Sequence, residues 1–349
     1  MVQLALVVIA RDEAQHIARC LESARPFVDE MIVLDTGSTD DTARIAAGCG
    51  ARVEQFAWNG DFAAARNAVL ALSDAAWNLV LDADEWLDAS GPEVGTLLAD
   101  VCAGAPLIGV LPVRLAFDLG GRPLASTTWR ERLLPRGVRY AGTVNEQPVS
   151  DLPRRRIALP IQNDGMRQQD RAGKHEQRAL QVATALAAAP DDAGLLYQAG
   201  KLDEGRGDFS TAADRYLRAL ELAAPEDAWR HDLVVRTMYS LKMSQQHAVA
   251  IQLADLEMDN WQHSPDYYFA LGDVLLDLAN AQPATADELL PMMEASWLKC
   301  LELGDQPALE GSVGGRGSDL AAHNLALLYE GRGDLERAGH YRALAGASR

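Results

Sequence analysis

The stretch LVLDADEWLD at residues 79–88 is a strand-like apolar run that ends in three carboxylates, Asp82, Asp84 and Glu85. Like charges this close repel each other and are costly to remove from water. Either these carboxylates lie in a hydrated turn, or a positive group belongs beside them. A divalent cation is one such group, because Mg²⁺ and Mn²⁺ prefer carboxylate oxygens and often bridge to phosphates. The stretch alone leaves both interpretations open.

The segments that precede this stretch alternate between strand-like and helix-like patterns. Four short apolar runs predict buried parallel strands, at residues 4–10, 30–36, 52–56 and 77–82. Three segments between them have helical patterns, at residues 12–23, 38–47 and 62–72. This order predicts a Rossmann-like α/β fold, a mostly parallel sheet with helices on both faces. Ligands of such sheets bind beyond the carboxyl ends of the strands, where Arg11, Asp35 and Asp82 fall.

The second half of the chain is rich in alanine and leucine and repeats a helix–turn–helix plan. Two copies contain the turn GRGD, at residues 195–222 and 322–344, and two more divergent copies are expected at 232–258 and 267–303. Their spacing is close to the ~34-residue period of tetratricopeptide repeats. Such arrays stack into a curved surface that often binds peptides or proteins. The two RGD sequences are therefore expected to be turns between helices.

Residues 100–165 separate the two patterns and contain short runs that predict a mixed or antiparallel region. A chain of 349 residues is long enough for two domains. We therefore predict an α/β domain at residues 1–165 and an all-α, tetratricopeptide-like domain at residues 166–349.

The composition excludes several classes of protein. The net charge of −18 argues against nucleic-acid binding, which requires a basic surface. No apolar segment is long enough to span a membrane, and the start of the chain lacks the basic region of a signal peptide. The four cysteines are scattered without CxxC spacing, so neither a zinc site nor a disulfide framework is predicted. A reducing, cytoplasmic location is expected.

One segment is basic within this acidic chain. Residues 114–156 contain nine arginines and four acidic residues, a local charge of +5. Arginine suits bidentate contact with phosphate oxygens. A phosphate site and a solvated basic face are both compatible with this cluster.

Three segments together resemble inverting family 2 glycosyltransferases of the GT-A fold. They are VVIARDEAQHIARCLES (7–23), DEMIVLDTGSTDDTARIA (29–46) and NGDFAAARNAVLALSDAAWNLVLDADEWL (59–87). The third looks like the subgroup with an Arg-Asn pair ahead of the strand that carries the DxD motif. Helical repeats after such a domain resemble an arrangement found in some protein- and peptide-modifying members.

The resemblance implies a nucleotide-sugar donor, expected to be UDP-linked, and a Mn²⁺ or Mg²⁺ ion. It assigns to the donor site Ala10, Arg11, Glu13, Asp35, Arg66, Asp82 and Ala83. Asp84 would be the main metal ligand, and Asp82 would face the ribose or the metal shell. Structural roles remain open for three of these residues: a helix cap for Asp35, a surface salt bridge for Arg66 and a helix-start carboxylate for Glu13.

The basic segment supplies the other candidates. Inverting transfer needs a base that takes the proton of the acceptor. Glu146, in YAGTVNEQPV (140–149), resembles the segment of the family that ends in His-Glu, and Glu131 is the alternative. Arg130 and Arg132 are candidates for contact with the diphosphate. Trp129 is the candidate for stacking on a sugar or base, with packing as the simpler role.

The sequence departs from the family pattern at two asparagines. Asn145 and Asn163 stand where relatives often carry histidine. If one of those histidines completes a metal site, we expect Asn163, Asp164 or water to take its place, since oxygen ligands still suit these cations. Glu85 has no assigned role and is expected to be solvated or to start a helix.

These observations predict a metal-dependent inverting glycosyltransferase whose acceptor is a peptide or protein docked on the repeats. One alternative is transfer to an envelope or lipid-linked saccharide. Another is a non-catalytic, repeat-based binding protein with a degenerate glycosyltransferase domain. A nucleotidyltransferase is disfavoured because the expected Gly-rich phosphate loop near the N-terminus is missing. The sequence leaves open whether the chain forms a homodimer.

Overall fold

The computed structural model describes residues 3–88, 93–119, 121–142, 146–164 and 172–347. The chain divides into two compact units. Unit 1 comprises residues 1–117 and 128–169, and unit 2 comprises residues 118–127 and 170–349. The second unit thus includes a short segment from within the first half of the sequence.

Unit 1 is an α/β structure. Its strands include β1 (Leu4–Ala10), β2 (Glu30–Asp35), β3 (Arg52–Gln55), β4 (Trp77–Asp82), β5 (Glu85–Leu87), β6 (Ile108–Leu119), β7 (Arg122–Pro135), β8 (Arg139–Ala141), β9 (Gln147–Val149), β10 (Arg154–Arg156) and β11 (Ile161–Asn163). Its helices include α1 (Ile17–Ala24), α2 (Thr42–Gly48), α3 (Phe62–Leu72) and α4 (Val94–Ala103). The end of β6 and the start of β7 extend into the 118–127 segment of unit 2.

The main sheet has the strand order β3-β2-β1-β4-β7-β6-β11-β5, with β10 beside β6. The strands β1 to β4 pair in parallel, whereas β7 is antiparallel to β4 and β5 is antiparallel to β11. The predicted α/β fold, with a mostly parallel sheet and a mixed region after residue 100, is confirmed. The register places Ala10 opposite Asp35 and Ile9 opposite Asp82. The carboxyl ends of β1, β2 and β4 therefore meet at one edge.

The core explains why β1 is apolar along its whole length. Leu6 and Val8 of β1 pack in one cluster with α1, while Val7 packs in a second cluster with α3. Both faces of the sheet are thus covered, which is typical of parallel strands. Helix α1 begins later than predicted, because Asp12 has a φ of 54° and its carboxylate accepts the Thr39 amide hydrogen at 2.7 Å.

Unit 2 is a row of helices. They include α5 (Ala172–Ala188), α6 (Ala193–Gly205), α7 (Phe209–Leu222), α8 (Arg230–Met243), α9 (His247–Trp261), α10 (Pro265–Ala281), α11 (Ala286–Leu303), α12 (Asp319–Gly331) and α13 (Leu335–Ala347). The pairs α6/α7, α8/α9, α10/α11 and α12/α13 correspond to the four predicted repeats. Both GRGD sequences lie in turns, where Gly207 and Gly333 have positive φ angles of 79° and 76°. No helix in these described ranges is long and apolar enough to cross a membrane.

A segment between α11 and α12 packs on the repeats. Its short strand β12 (Ser312–Val313) pairs with Ser126–Thr127 of the same unit. The Val313 amide donates to Asp266 on the first turn of α10 at 2.9 Å, and Arg316 donates to the same carboxylate at 3.0 Å. Part of the surface that the repeats present is therefore covered by the chain itself.

Two helical glycines, Gly200 and Gly272, lie at close contacts between helices. Gly200 of α6 faces Tyr216 of α7, and an added Cβ would lie 2.6 Å from Tyr216 Cδ1. Gly272 of α10 similarly faces the Trp297 ring of α11. The Gly200→Ala variant is expected to destabilise unit 2 by about 1–3 kcal/mol, because the buried tyrosine has to shift. Chemical denaturation measures this loss.

Gly205 provides the matched control on the same helix. An added Cβ there meets no atom within 4 Å. Gly205→Ala is expected to change the free energy of unfolding by less than about 1 kcal/mol, in the stabilising direction. Equal destabilisation by both variants would show that close packing at Gly200 is not the cause.

Candidate functional site

The turn after β4 carries the carboxylates of the DxD motif. Asp82 ends β4, Ala83 is buried in the turn, and Glu85 begins β5. The turn lies at the edge where β1 and β2 also end, next to Ala10 and Asp35. The structure therefore brings together residues that are far apart in the sequence.

Asp82 receives its positive partners from the protein itself. Its Oδ1 lies 2.8 Å from Arg66 Nη2, and its Oδ2 lies 2.7 Å from Arg132 Nη2. Both arginines are buried. Burial alone would raise the pKa of Asp82, but Arg132 and Arg66 together lower it below its ordinary value. Both guanidinium groups, predicted near the nucleotide or diphosphate, are thus paired with a carboxylate of the motif.

Glu85 is a buried member of the same cluster, so the prediction of a solvated or helix-start residue is wrong. Its side chain is 4 % exposed. It lies 2.6 Å from Arg132 Nη2 and accepts the Asp82 amide hydrogen at 3.0 Å. Burial raises the pKa of Glu85 to about 7, against the opposing effect of Arg132. In a strand, residues two positions apart lie on the same face, so an inward-facing Leu87 predicts an inward-facing Glu85.

Asp84 is paired with no arginine in the described parts of the chain, and its side chain is half-buried. Burial raises its pKa, as do the nearby charges of Asp82 and Glu13. The Asn163 side chain makes a hydrogen bond to it, and β11 places Asn163 opposite Glu85. This corner of the site therefore has an excess of negative charge.

The described residues contain no group of three or more His, Cys, Asp or Glu side chains arranged to hold a metal ion. A cation at Asp84 would take its remaining ligands from amide, water or phosphate oxygens. Such a site, with few protein carboxylates, is typical of Mg²⁺ and Mn²⁺.

Asp35 and the β1 end form the other side of this edge. Asp35 is 2 % exposed and accepts hydrogen bonds from the Ser38 amide at 3.1 Å and from Gln55 Nε2 at 2.9 Å. The Ala10 carbonyl accepts the Thr36 amide hydrogen at 2.9 Å. Arg11 is exposed.

Of the two candidate bases, only Glu146 joins the cluster. Its Oε1 lies 3.1 Å from Arg66 Nε, and its side chain is 17 % exposed. Glu131 instead pairs with Arg154 at 3.4 Å. The structure thus links Glu146 to Asp82 through one guanidinium.

The other predicted residues are Arg130, Trp129, Glu13 and Asn145. Arg130 is exposed. The Trp129 ring lies under the Arg156 guanidinium, 4.5 Å from the ring centre. Glu13 lies 2.8 Å from His16. Asn145 falls outside the described residues.

Comparisons with known proteins agree with both halves of the fold. Residues 5–115 match the family model for glycosyl transferase family 2. A TPR repeat-containing protein of Synechococcus elongatus is 34 % identical over 248 residues, which cover 67 % of this chain and 60 % of that protein. The SPbeta prophage-derived glycosyltransferase SunS of Bacillus subtilis is 29 % identical over 146 residues, covering 41 % of this chain and 34 % of that protein.

A solved structure is also similar over part of the chain. It is glucosyl-3-phosphoglycerate synthase from Mycobacterium tuberculosis in complex with Mn²⁺, UDP and glucosyl-3-phosphoglycerate, with a TM-score of 0.27 and 28 % identity. The match covers 35 % of this chain and 46 % of that one. The chain thus spans less than two thirds of the length of each of these similar proteins.

Proposed function

Since this chain contains a family 2 glycosyltransferase domain followed by tetratricopeptide-like repeats, we propose that it transfers a sugar from a UDP-linked donor to an acceptor. We propose further that the reaction inverts the anomeric carbon, uses Mn²⁺ or Mg²⁺, and has a peptide or protein as acceptor. The observation that carries the proposal is Asp84, a half-buried carboxylate with excess negative charge around it, at the edge where three parallel strands end.

The residues present fit a divalent cation. Asp84 would be the carboxylate ligand and the Asn163 amide oxygen a second candidate, while Asp82 has both oxygens engaged by arginines. When bound, the cation would stabilise the charge of the departing diphosphate. Asp35, held by Ser38 and Gln55, would orient the nucleoside end of the donor.

Glu146 would act as the base. Its carboxylate would take the proton of the acceptor while the acceptor atom forms a bond to the anomeric carbon. The bond from that carbon to the diphosphate breaks, and its electron pair leaves with the diphosphate. The Arg66 guanidinium, whose Nε lies 3.1 Å from Glu146 Oε1, would orient this carboxylate.

The repeats would supply the acceptor site. Tetratricopeptide-like arrays present a curved surface suited to extended peptides. In unit 2 the first turn of α10 is already engaged by β12 and Arg316. An acceptor peptide would therefore use the part of the repeat surface that this segment leaves open.

Donor binding tests the proposal. UDP with Mn²⁺ is expected to raise the melting temperature, because a ligand at about 100 times its Kd stabilises the native state by about 2.7 kcal/mol. The same UDP with EDTA serves as the control and is expected to give a smaller shift. Absence of a shift with every nucleoside diphosphate, in Mn²⁺ and in Mg²⁺, would refute the donor assignment.

Product analysis tests the acceptor. Incubation of the full chain with UDP-sugars and a mixed peptide library is expected to add the mass of one sugar to particular peptides. If the sugar were found only on saccharides or lipid-linked acceptors, the peptide assignment would be wrong.

A further inference from the structure

We propose that Arg66 and Asn67 form a pair of positioning residues that hold the Glu146-bearing hairpin against the DxD strand. The role of Glu146 as base rests on the proposed function, whereas the positioning itself is a claim about the fold. Arg66 and Asn67 perform this role without direct contact with the substrate.

Asn67 holds the first strand of the hairpin. Its Nδ2 donates to the Tyr140 carbonyl at 2.9 Å, and its Oδ1 accepts the Tyr140 amide hydrogen at 2.8 Å. The side-chain amide therefore satisfies both backbone groups of a residue in β8, as a neighbouring strand would. Tyr140 is buried at this contact. Helix α3 and the hairpin are thereby joined by two hydrogen bonds to one residue.

The hairpin then determines where Glu146 lies. Strand β8 pairs antiparallel with β9, and Ala141 lies opposite Gln147. Glu146 directly precedes β9, so its backbone follows the position of β8. Fixing Tyr140 through Asn67 therefore also fixes β9, the strand that Glu146 precedes.

Arg66 fixes the side chain of Glu146. Its Nε donates to Glu146 at 3.1 Å, while its Nη2 donates to Asp82 at 2.8 Å. Although burial opposes it, the charge of Asp82 raises the pKa of Arg66 above its ordinary value, so the guanidinium remains charged. A planar guanidinium can bind two carboxylates at fixed angles, which the single ammonium of lysine cannot reproduce.

The helix that carries both residues is itself well anchored. Asp61 caps α3 by accepting the Ala64 amide hydrogen at 3.0 Å. Successive helical residues project about 100° apart. Arg66 can therefore reach the end of β4 while Asn67 reaches β8. One rigid turn of helix thus sets the distance between the DxD motif and Glu146.

Hydrogen exchange in the full chain tests the positioning independently of activity. The Arg66→Lys and Asn67→Ala variants are expected to accelerate amide exchange at Tyr140 and in β9 by about 10-fold, by loosening the hairpin. Arg132→Lys is the matched control, because Arg132 is a buried arginine that pairs with Asp82 but not with Glu146. It is expected to leave exchange in the hairpin unchanged. Unchanged exchange in both test variants, or equal acceleration in the control, would overturn the inference.

Kinetics then test the consequence for the base. Arg66→Lys is expected to lower kcat by about 10- to 100-fold, a share of the 10²–10⁴-fold effect of general-base catalysis, with KM for the donor changed less than about threefold. A KM for the donor that rises in step with the fall in kcat would contradict positioning of the base.

The outcomes separate the two proposals. If exchange in the hairpin accelerates as expected but the wild-type chain shows no UDP-dependent shift in melting temperature, the positioning stands and the proposed function fails. If the wild-type chain binds UDP and turns over but the hairpin exchange is unaffected, the proposed function stands and the positioning fails.

Discussion

The Asp84→Asn variant is expected to lose the Mn²⁺-dependent part of the UDP-induced rise in melting temperature and to lower kcat/KM by on the order of 10²–10³-fold. Asp84 is the carboxylate of the motif whose charge no arginine in the described residues neutralises, so a cation depends on it most. Calorimetric titration of Mn²⁺ in the presence of UDP, and rate measurements at saturating donor, would give the two quantities.

The fold of this variant is expected to be intact. Burial and the charges of Asp82 and Glu13 raise the pKa of Asp84, so its ionised form opposes folding at neutral pH. A neutral asparagine removes that repulsion, and the melting temperature of the unliganded variant should equal or exceed that of the wild-type chain. Loss of binding together with retained stability would separate a ligand role from a structural one.

Asp88→Asn is the matched control for this prediction. Asp88 follows the same motif, but its carboxylate accepts a hydrogen bond from Gln162 Nε2 at 2.9 Å. It is expected to change donor affinity by less than about threefold. Equal losses in both variants would contradict the assignment of the cation to Asp84.

Much of this site follows from local sequence signals. The parallel sheet follows from the predicted strands and the helical segments between them, and its polar edge follows from the polar residues that end each strand. The repeat plan in the second half is equally local, because each pair of helices packs mainly on its neighbours. Both could be predicted because their patterns are short-ranged.

The ion pairs could not be predicted in this way. Arg132 reaches Asp82 because β7 runs antiparallel to β4, with Leu133 opposite Leu79, and a single sequence does not fix that register. The carboxylates Asp82, Asp84 and Glu85 therefore differ in the partners that balance their charge. Arginines pair with Asp82 and Glu85, whereas none in the described residues pairs with Asp84. The inclusion of residues 118–127 in the helical unit also depends on a long-range pairing, that of β12 with β7.

The Arg132→Met variant is expected to destabilise unit 1 by about 3–5 kcal/mol, the usual result of removing one partner from a buried ion pair. Arg132 is 7 % exposed, and its loss leaves Glu85 with its charge uncompensated and Asp82 with one arginine. Amide exchange in β1 and β4, the strands at the centre of the sheet, would report the loss for this unit separately from the repeats.

The loss of stability in Arg132→Met is expected to depend on pH. Glu85 already has a pKa of about 7 in the folded chain, and without Arg132 that pKa rises further above its unfolded value of about 4.3. A carboxyl group whose pKa is raised by folding must either take up a proton or be buried in its charged form. The free-energy cost of folding that results grows as the pH rises. The destabilisation is therefore expected to be larger at pH 8 than at pH 6.

The double variant Arg132→Met with Glu85→Gln tests this explanation. Glutamine keeps the shape of Glu85 and can still accept the Asp82 amide hydrogen, but it carries no charge. The double variant is expected to recover about 1–3 kcal/mol of the loss, the range of coupling between contacting residues, and to lose most of the pH dependence. If the two substitutions were simply additive at every pH, the buried charge of Glu85 would not be the source of the instability, and the lost packing of the arginine stem would account for it instead.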